Sequence, residues 1–241
     1  FSKPMIILVN EDSASASEYF AANLQDHQRA FVAGKKTFGK GTAQIVLPLS
    51  TENPSLGFVK VTTDAFYRIT GQSVQLAGVT PDFEFPSAVE SLALGEGEYK
   101  NAIANQNIKK NIYFKLPEKK DIGKLKAESE SRMATRTSTQ KILAVNKEIE
   151  GYFKTKRVLP LTLESMKTDR NYYQELLKRI NEIAEEHTIF TIENSAYKNA
   201  PLLANNAKTM NENKIKALQT DPEVLEAYSI ITDYLKNYPK N

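Results

Sequence analysis

Apolar and polar positions follow different rhythms along this chain, and the rhythms predict its elements. Residues 4–9, PMIILV, form a continuous apolar run without alternation. That is the pattern of a short strand buried on both faces, as in a parallel sheet. A polar stretch follows, and a helix is predicted from about Ser15, where Ser15-Ala-Ser-Glu18 has the form of a capping box. Tyr19, Phe20, Ala21, Ala22 and Leu24 give that helix a broad apolar side. Ala30-Phe-Val-Ala33 reads as a second buried strand, punctuated by Gly34. Strand, helix and strand within about thirty residues make a βαβ unit, whose crossover should be right-handed.

From Gly39 to Gly78 the pattern shortens. Strands are predicted at 44–47 and 58–63, an extended continuation at 65–68, a turn at 69–72 and a short strand at 73–76. Gly78-Val-Thr-Pro-Asp82 breaks the pattern, and Phe83-Glu-Phe-Pro86 leads out of the unit. Beyond about residue 87 the period becomes helical. Lys141–Phe153 carries Ile142, Val145, Ile149 and Phe153 on one stripe. Thr168–His187 carries Tyr173, Leu176, Leu177, Ile180, Ile183 and Ala184. Asp221 caps a helix with Pro222 at its first position, and Val224, Tyr228, Ile231 and Leu235 form its stripe. Val158–Leu161 reads as a loop or short strand. The expectation is an α/β portion at 1–87 followed by a mainly α-helical region at 88–241. The junction is expected between 87 and 125.

Composition narrows the chemistry. The chain has 241 residues with 41% apolar content, enough for packed cores. It has no cysteine, which excludes thiol catalysis, disulfides and Cys-ligated zinc. Its two histidines, His27 and His187, lie far apart, which argues against a His-based triad or metal site and assigns both to helix ends. No cofactor and no metal are expected. A net charge of +3 lacks the dense basic stripe of a nucleic-acid binder. The lysine-rich stretch from Lys109 to Lys126, with Tyr113 and Phe114 embedded, reads as a solvated linker or helix face. No apolar run reaches membrane-spanning length. The chain opens at Phe1, as an excised or processed piece would.

Two serine-and-lysine arrangements compete for a catalytic reading. Ser15 stands at a strand-to-helix turn, where the helix start offers backbone N–H donors to a developing oxyanion. Its plainer reading is an ordinary N-cap, worth about 1 kcal/mol. A nucleophilic serine needs a base, and with no histidine at hand a lysine can serve in its neutral, desolvated form. Lys40, between Gly39 and Gly41, could tuck against the helix start, with Gln44 orienting its amine; the plainer reading is a surface turn. The G-x-x-x-x-G-K-[ST] spacing of a phosphate loop is absent. S-x-x-K occurs at Ser138/Lys141 and Ser195/Lys198. Neither has the downstream context that motif demands, and both are read as chance.

The stretch LVNEDSASASEYFAANLQDHQRAFVAGKKTFGKGTAQ, at residues 8–44, closely resembles the C-terminal processing peptidases, also called tail-specific proteases. S-A-S-A-S-E, L-Q-D-x-x-R-A, T-F-G-K-G-x-x-Q and, downstream, Gly78-Val-Thr-Pro-Asp82 match in order, over residues 4–85. The resemblance implies a Ser/Lys dyad with Ser15 as nucleophile, Lys40 as general base and Gln44 positioning the lysine. The backbone N–H of Ala16 would be half of the oxyanion hole. Asp12 stands where many members carry glycine.

The family places a PDZ domain, and a glycine giving the second oxyanion donor, ahead of this segment. The chain is therefore expected to be the end of a longer protease, with little or no peptidase activity alone. Its helical region resembles the C-terminal extension of the Gram-negative tail-specific branch. The resemblance implies protein substrates entered through exposed C-terminal tails, and a periplasmic or envelope location. No nucleic-acid partner is implied. The competing expectation is a non-catalytic interaction or substrate-enclosing module derived from such a protease.

Overall fold

The computed structural model describes residues 2–110, 115–118, 120–154, 158, 160–185, 188–194 and 205–237. The chain divides into two compact units that interleave in sequence. Residues 1–84 and 93–121 form one, and residues 85–92 and 122–241 the other.

The first unit is built on a parallel sheet. Strands β1 (Ile6–Val9) and β2 (Phe31–Gly34) pair in parallel register, Ile6 opposite Phe31 and Val9 opposite Gly34, joined by helix α1 (Ala16–Asp26). This is the βαβ unit the apolar runs predict. Its core is Val9, Ala21, Ala22, Val32, Val74 and Val79, with Ile7 packed against it. Small alanines, not the large aromatics, form the buried face of α1, while Tyr19 and Phe20 are exposed. His27 is the C-cap of α1, its N–H donating to the carbonyls of Asn23 and Gln25.

Strands β3 (Thr42–Pro48) and β4 (Phe58–Ala65) form a separate antiparallel ribbon, with a register shift between Ala43 and Gln44. The short strand expected at 73–76 is not formed: only Ser73 makes a bridge, to Tyr67. The reason lies in the turn that follows. Leu76 adopts φ 61°, and the Ala77 and Gly78 N–H groups both donate to the Val74 carbonyl, so the backbone closes on itself instead of extending. Conversely, Phe83–Glu84 does more than lead out of the unit. It forms a strand, β5, parallel to β2, giving the order β1-β2-β5. Asp82 enforces this join: its N–H donates to the Val32 carbonyl, and its carboxylate accepts the Val32 N–H at 2.9 Å.

The second unit is helical: α2 (Gly123–Thr135), α3 (Thr137–Lys154), α4 (Leu163–Asn181), α5 (Asn205–Gln219) and α6 (Pro222–Asn237). Val145 and Ile149 of α3 meet Leu176 of α4, flanked by Tyr172, Ile180 and Ile183 and by Ala88, Val89 and Leu92. Helix α4 starts earlier than predicted, capped by the Thr162 hydroxyl accepting from the Ser165 N–H, and ends at Asn181. Phe153 and Leu177, assigned to apolar stripes, are exposed. Asp221 caps α6 as expected, accepting from the Glu223 and Val224 N–H groups. The buried face of α6 is rotated from the predicted stripe, however. It presents Leu225, Glu226, Ile230 and Tyr234, while Tyr228 and Leu235 are exposed. A buried glutamate disguised that face. Glu226 is tolerated there because Arg132 and Arg136 both pair with it at 2.7 Å.

The described part of 158–161 is loop. Of the lysine-rich stretch, residues 115–118 and 120–122 have no regular structure and α2 begins at Gly123. Tyr113, Phe114, His187, Ser195 and Lys198 lie outside the described residues. Among those described, no helix is long and apolar enough to cross a membrane.

Candidate active site

The backbones of Ser15 and Lys40 come together at the start of α1. The turn leading into it is locally determined. Asn10 accepts the Asp12 N–H on its side chain and the Ser13 N–H on its carbonyl, and its own N–H donates to Ser13 Oγ. Ser17 Oγ donates back to the Ala14 carbonyl. Between these two stapled serines stands Ser15, half-buried, with φ 57° and ψ −115°.

An ordinary N-cap sits in the β region. Ser15 instead occupies backbone space that favours glycine, at a cost of order 1–3 kcal/mol that surrounding structure must hold in place. A strained serine at a sharp strand-to-helix turn is the geometry that exposes a nucleophile. The next residue, Ala16, is exposed, and its N–H makes no hydrogen bond among the described residues. As the first N–H of a helix it is an unspent donor in positive potential.

Lys40 lies on the Thr37–Gly41 loop, which is bound to that turn by consecutive backbone groups. The Phe38 N–H donates to the Ser13 carbonyl at 3.0 Å. The Gly39 and Lys40 N–H groups donate to the Glu18 carboxylate at 2.7 and 2.8 Å. The same carboxylate accepts the Ser15 N–H at 2.8 Å and the Thr37 hydroxyl at 2.5 Å. Ser15 and Lys40 share one oxygen, Glu18 Oε2, so their backbone nitrogens are no farther apart than twice 2.8 Å. The loop does tuck against the helix start.

Glycine permits that fit from the other side. A Cβ on Gly41 would stand 2.6 Å from the Gln75 nitrogen, and one on Gly78, at φ 63°, 2.5 Å from the Thr37 carbonyl oxygen. With the glycines in place, Gly41 N–H donates to Gln75 Oε1, Leu76 N–H to the Gly39 carbonyl, and Val79 N–H to Thr37 Oγ1. The G-V-T-P-D segment is thus the back wall of the lysine loop. The L-Q-D segment closes the far end of α1, where Asp26 and Gln25 hold Arg68.

The side chains meet less directly. Lys40 Nζ donates to the Thr42 carbonyl at 2.9 Å, and among the described residues no hydrogen bond joins it to the Ser15 hydroxyl. Gln44 does not touch Lys40 by a hydrogen bond either. Its Nε2 donates to Thr42 Oγ1 at 2.9 Å and Thr62 Oγ1 at 3.2 Å, so Lys40 and Gln44 meet through Thr42.

Sequence reasoning missed Glu18, Thr37 and Thr42, all buried. Glu18 was legible only as a capping residue, and its long-range role had one available signal: a carboxylate three and four residues ahead of the small alanines Ala21 and Ala22, on the same buried face of α1. Among the described residues no cluster of His, Cys, Asp and Glu could hold a metal ion.

Residues 1–85 match peptidase family S41, and residues 89–236 match the C-terminal domain of tail specific protease. The tail-specific protease of Haemophilus influenzae is 38% identical over 116 residues, covering 46% of this chain and 17% of that protein. A carboxy-terminal-processing protease of Bartonella bacilliformis is 41% identical over 107 residues, covering 42% of this chain and 24% of that protein. A chloroplastic C-terminal processing peptidase of Tetradesmus obliquus is 38% identical over 86 residues, covering 36% and 18%. The chain thus spans about a fifth of the length of the curated relatives it matches.

Proposed function

This chain belongs to the tail-specific proteases of peptidase family S41, and we propose that it carries the nucleophile and the base of a serine endopeptidase. Ser15 Oγ attacks the scissile carbonyl carbon while the neutral amine of Lys40 takes its proton. The carbonyl oxygen becomes an oxyanion facing the Ala16 N–H, the donor nearest the new bond. The Lys40 ammonium then gives its proton to the leaving amine, and the peptide bond breaks. Water, deprotonated by Lys40, attacks the Ser15 ester; the acyl group departs as a carboxylate and the hydroxyl is restored. The Thr42 carbonyl fixes one N–H of Lys40, and Gln44 steadies that carbonyl's residue from the ribbon.

The observation that carries this reading is the backbone of Ser15. A serine that served only as a helix cap would have no reason to hold φ 57°, ψ −115° opposite a lysine loop. The substrates are proteins or peptides with exposed C-terminal tails, and the chain acts as part of a longer, envelope-located protease that supplies a tail-binding PDZ domain and the rest of the oxyanion hole. On its own it has little or no activity. The test compares the longer protease, its Ser15→Ala and Lys40→Ala variants and this chain alone on a peptide with a free apolar C-terminal tail. Turnover by the longer protease alone is expected; unchanged turnover in either variant rejects the dyad.

A further inference from the structure

We propose that Glu18 is the positioning residue that couples nucleophile to base, so that the two halves of the site form or fail as one unit. This rests on the Ser15–Lys40 reading above.

The Glu18 side chain is completely buried. An ionised carboxylate accepts at about four lone-pair sites and donates at none. Each oxygen here takes two donors. Oε1 receives the Thr37 hydroxyl and the Gly39 N–H, and Oε2 receives the Ser15 and Lys40 N–H groups. Among the described residues no cation pairs with it; all its partners are neutral dipoles belonging to the two catalytic segments. A buried carboxylate so completely hydrogen-bonded is a geometric constraint on whatever donates to it. What donates to it is the backbone of the nucleophile and the backbone of the base.

The consequence is mechanical. Ser15 sits in a strained backbone well, which persists only while its N–H is held. Lys40 is placed by its own N–H and that of Gly39. Replacing Glu18 by glutamine turns one oxygen into an NH₂ group that faces donors with a donor. Either Ser15 and Lys40 or Thr37 and Gly39 lose their acceptor, and the two segments part.

The experiment uses the longer protease that carries this chain. Glu18→Gln is expected to lower kcat by about 100-fold, the scale of a misplacement of roughly 1 Å, with KM changed less than about threefold. Covalent labelling of Ser15 by a fluorophosphonate is expected to slow by a similar factor. A purely structural role would not move the next readout. Because Glu18 makes Ser15 and Lys40 act as one unit, which Lys40→Ala already disables, Glu18→Gln combined with Lys40→Ala should be no slower than Lys40→Ala alone. Multiplying effects, or wild-type kcat and labelling in Glu18→Gln while Ser15→Ala is dead, overturn the inference and leave the dyad standing. Turnover in Ser15→Ala overturns the dyad and this inference with it. Should Glu18→Gln fail to fold, Thr37→Val removes one of the four donors and is expected to lower kcat by about tenfold, with Thr37→Ser restoring it; equal rates for both overturn the coupling.

Discussion

Each unit of this protein buries a glutamate completely, and the two are held in opposite ways. Glu226 in the helical unit faces two guanidinium groups, and Arg132 reaches on to Asp233 at 2.6 Å. Burial works against the charge on Arg132, yet its bonds to Glu226 and Asp233 hold the guanidinium more firmly protonated than usual. Glu18 in the sheet unit faces four neutral donors, three of them backbone N–H groups, and among the described residues no cation. A long arginine finds its carboxylate over a range of backbone positions, whereas a backbone N–H has no reach of its own. The ion pairs therefore tie helices together, and the backbone bonds set atomic positions. Charge neutralisation suits a scaffold; dipole saturation suits a site.

The sharpest way to break the comparison is to separate activity from stability. Ser15→Ala or Lys40→Ala in the longer protease should lower kcat by about 10⁴-fold or more while the denaturant midpoint is retained. Glu226→Ala should do the reverse. Removing one partner of a buried pair costs about 3–5 kcal/mol, read as a lower urea midpoint for the helical unit, because Arg136 loses its counter-ion and Arg132 is left with Asp233 alone. A stability loss of the same size in Ser15→Ala would show that the site is itself a structural keystone and would erase the distinction.

Glycine sharpens the same contrast with opposite signs. Gly41→Ala puts a Cβ 2.6 Å from a backbone nitrogen. It should destabilise the sheet unit by about 1–3 kcal/mol and displace Lys40, lowering kcat as well. At Gly151, inside α3, an added Cβ would meet nothing within 4 Å, so Gly151→Ala should stabilise the helical unit by about 0.5–1 kcal/mol. Thermal melts of both variants read the pair.

The smallest effect concerns acid. The Glu148 carboxyl is held below its ordinary value chiefly by the hydrogen bond from Arg179, aided by Tyr172 and opposed by burial. A depressed folded value favours the ionised form in the native state. The bond thus contributes above the unfolded value, 4.5, and is lost as pH falls through the folded one. Melting of Glu148→Gln should accordingly depend less on pH below about 4.5 than that of the parent chain.

The local parts of the fold were legible because local rules decide them. The continuous apolar runs at 4–9 and 30–33 did mark the two parallel strands, and Asp221-Pro222 did open a helix. Burial on both faces was expected of β1, however, and it is buried only at Val9 and leaves Leu8 exposed. Legibility failed wherever a distant partner overrode the local pattern. The α6 stripe was misread because Glu226 looks polar until Arg132 and Arg136 are brought to it. Strand β5 is two residues long and exists because Asp82 bonds to Val32 across the unit. In the site, Ser15, Ala16, Lys40 and Gln44 were nameable from the family resemblance, but Glu18, which joins Ser15 to Lys40, and Thr42, which joins Lys40 to Gln44, were not. Glu18 acts by accepting backbone N–H groups and Thr42 by offering its own carbonyl to Lys40, and backbone groups carry no residue-type signature.

Thr37 carries one last consequence, for the order in which the molecule becomes competent. Its hydroxyl donates to a residue 19 positions earlier and accepts from one 42 positions later. Long loops must close before such a hydroxyl has both partners, and contacts of that sequence separation form slowly. The β1–β2 pairing and the Val9, Ala21, Ala22 and Val32 part of the core lie within residues 6–34, whereas Val74 and Val79 join that core only with the segment that carries the second Thr37 partner. During refolding, native secondary structure should return before the serine becomes reactive. A nascent chain that stops short of Val79 would lack both the second partner of the Thr37 hydroxyl and the last residue of the core beneath α1.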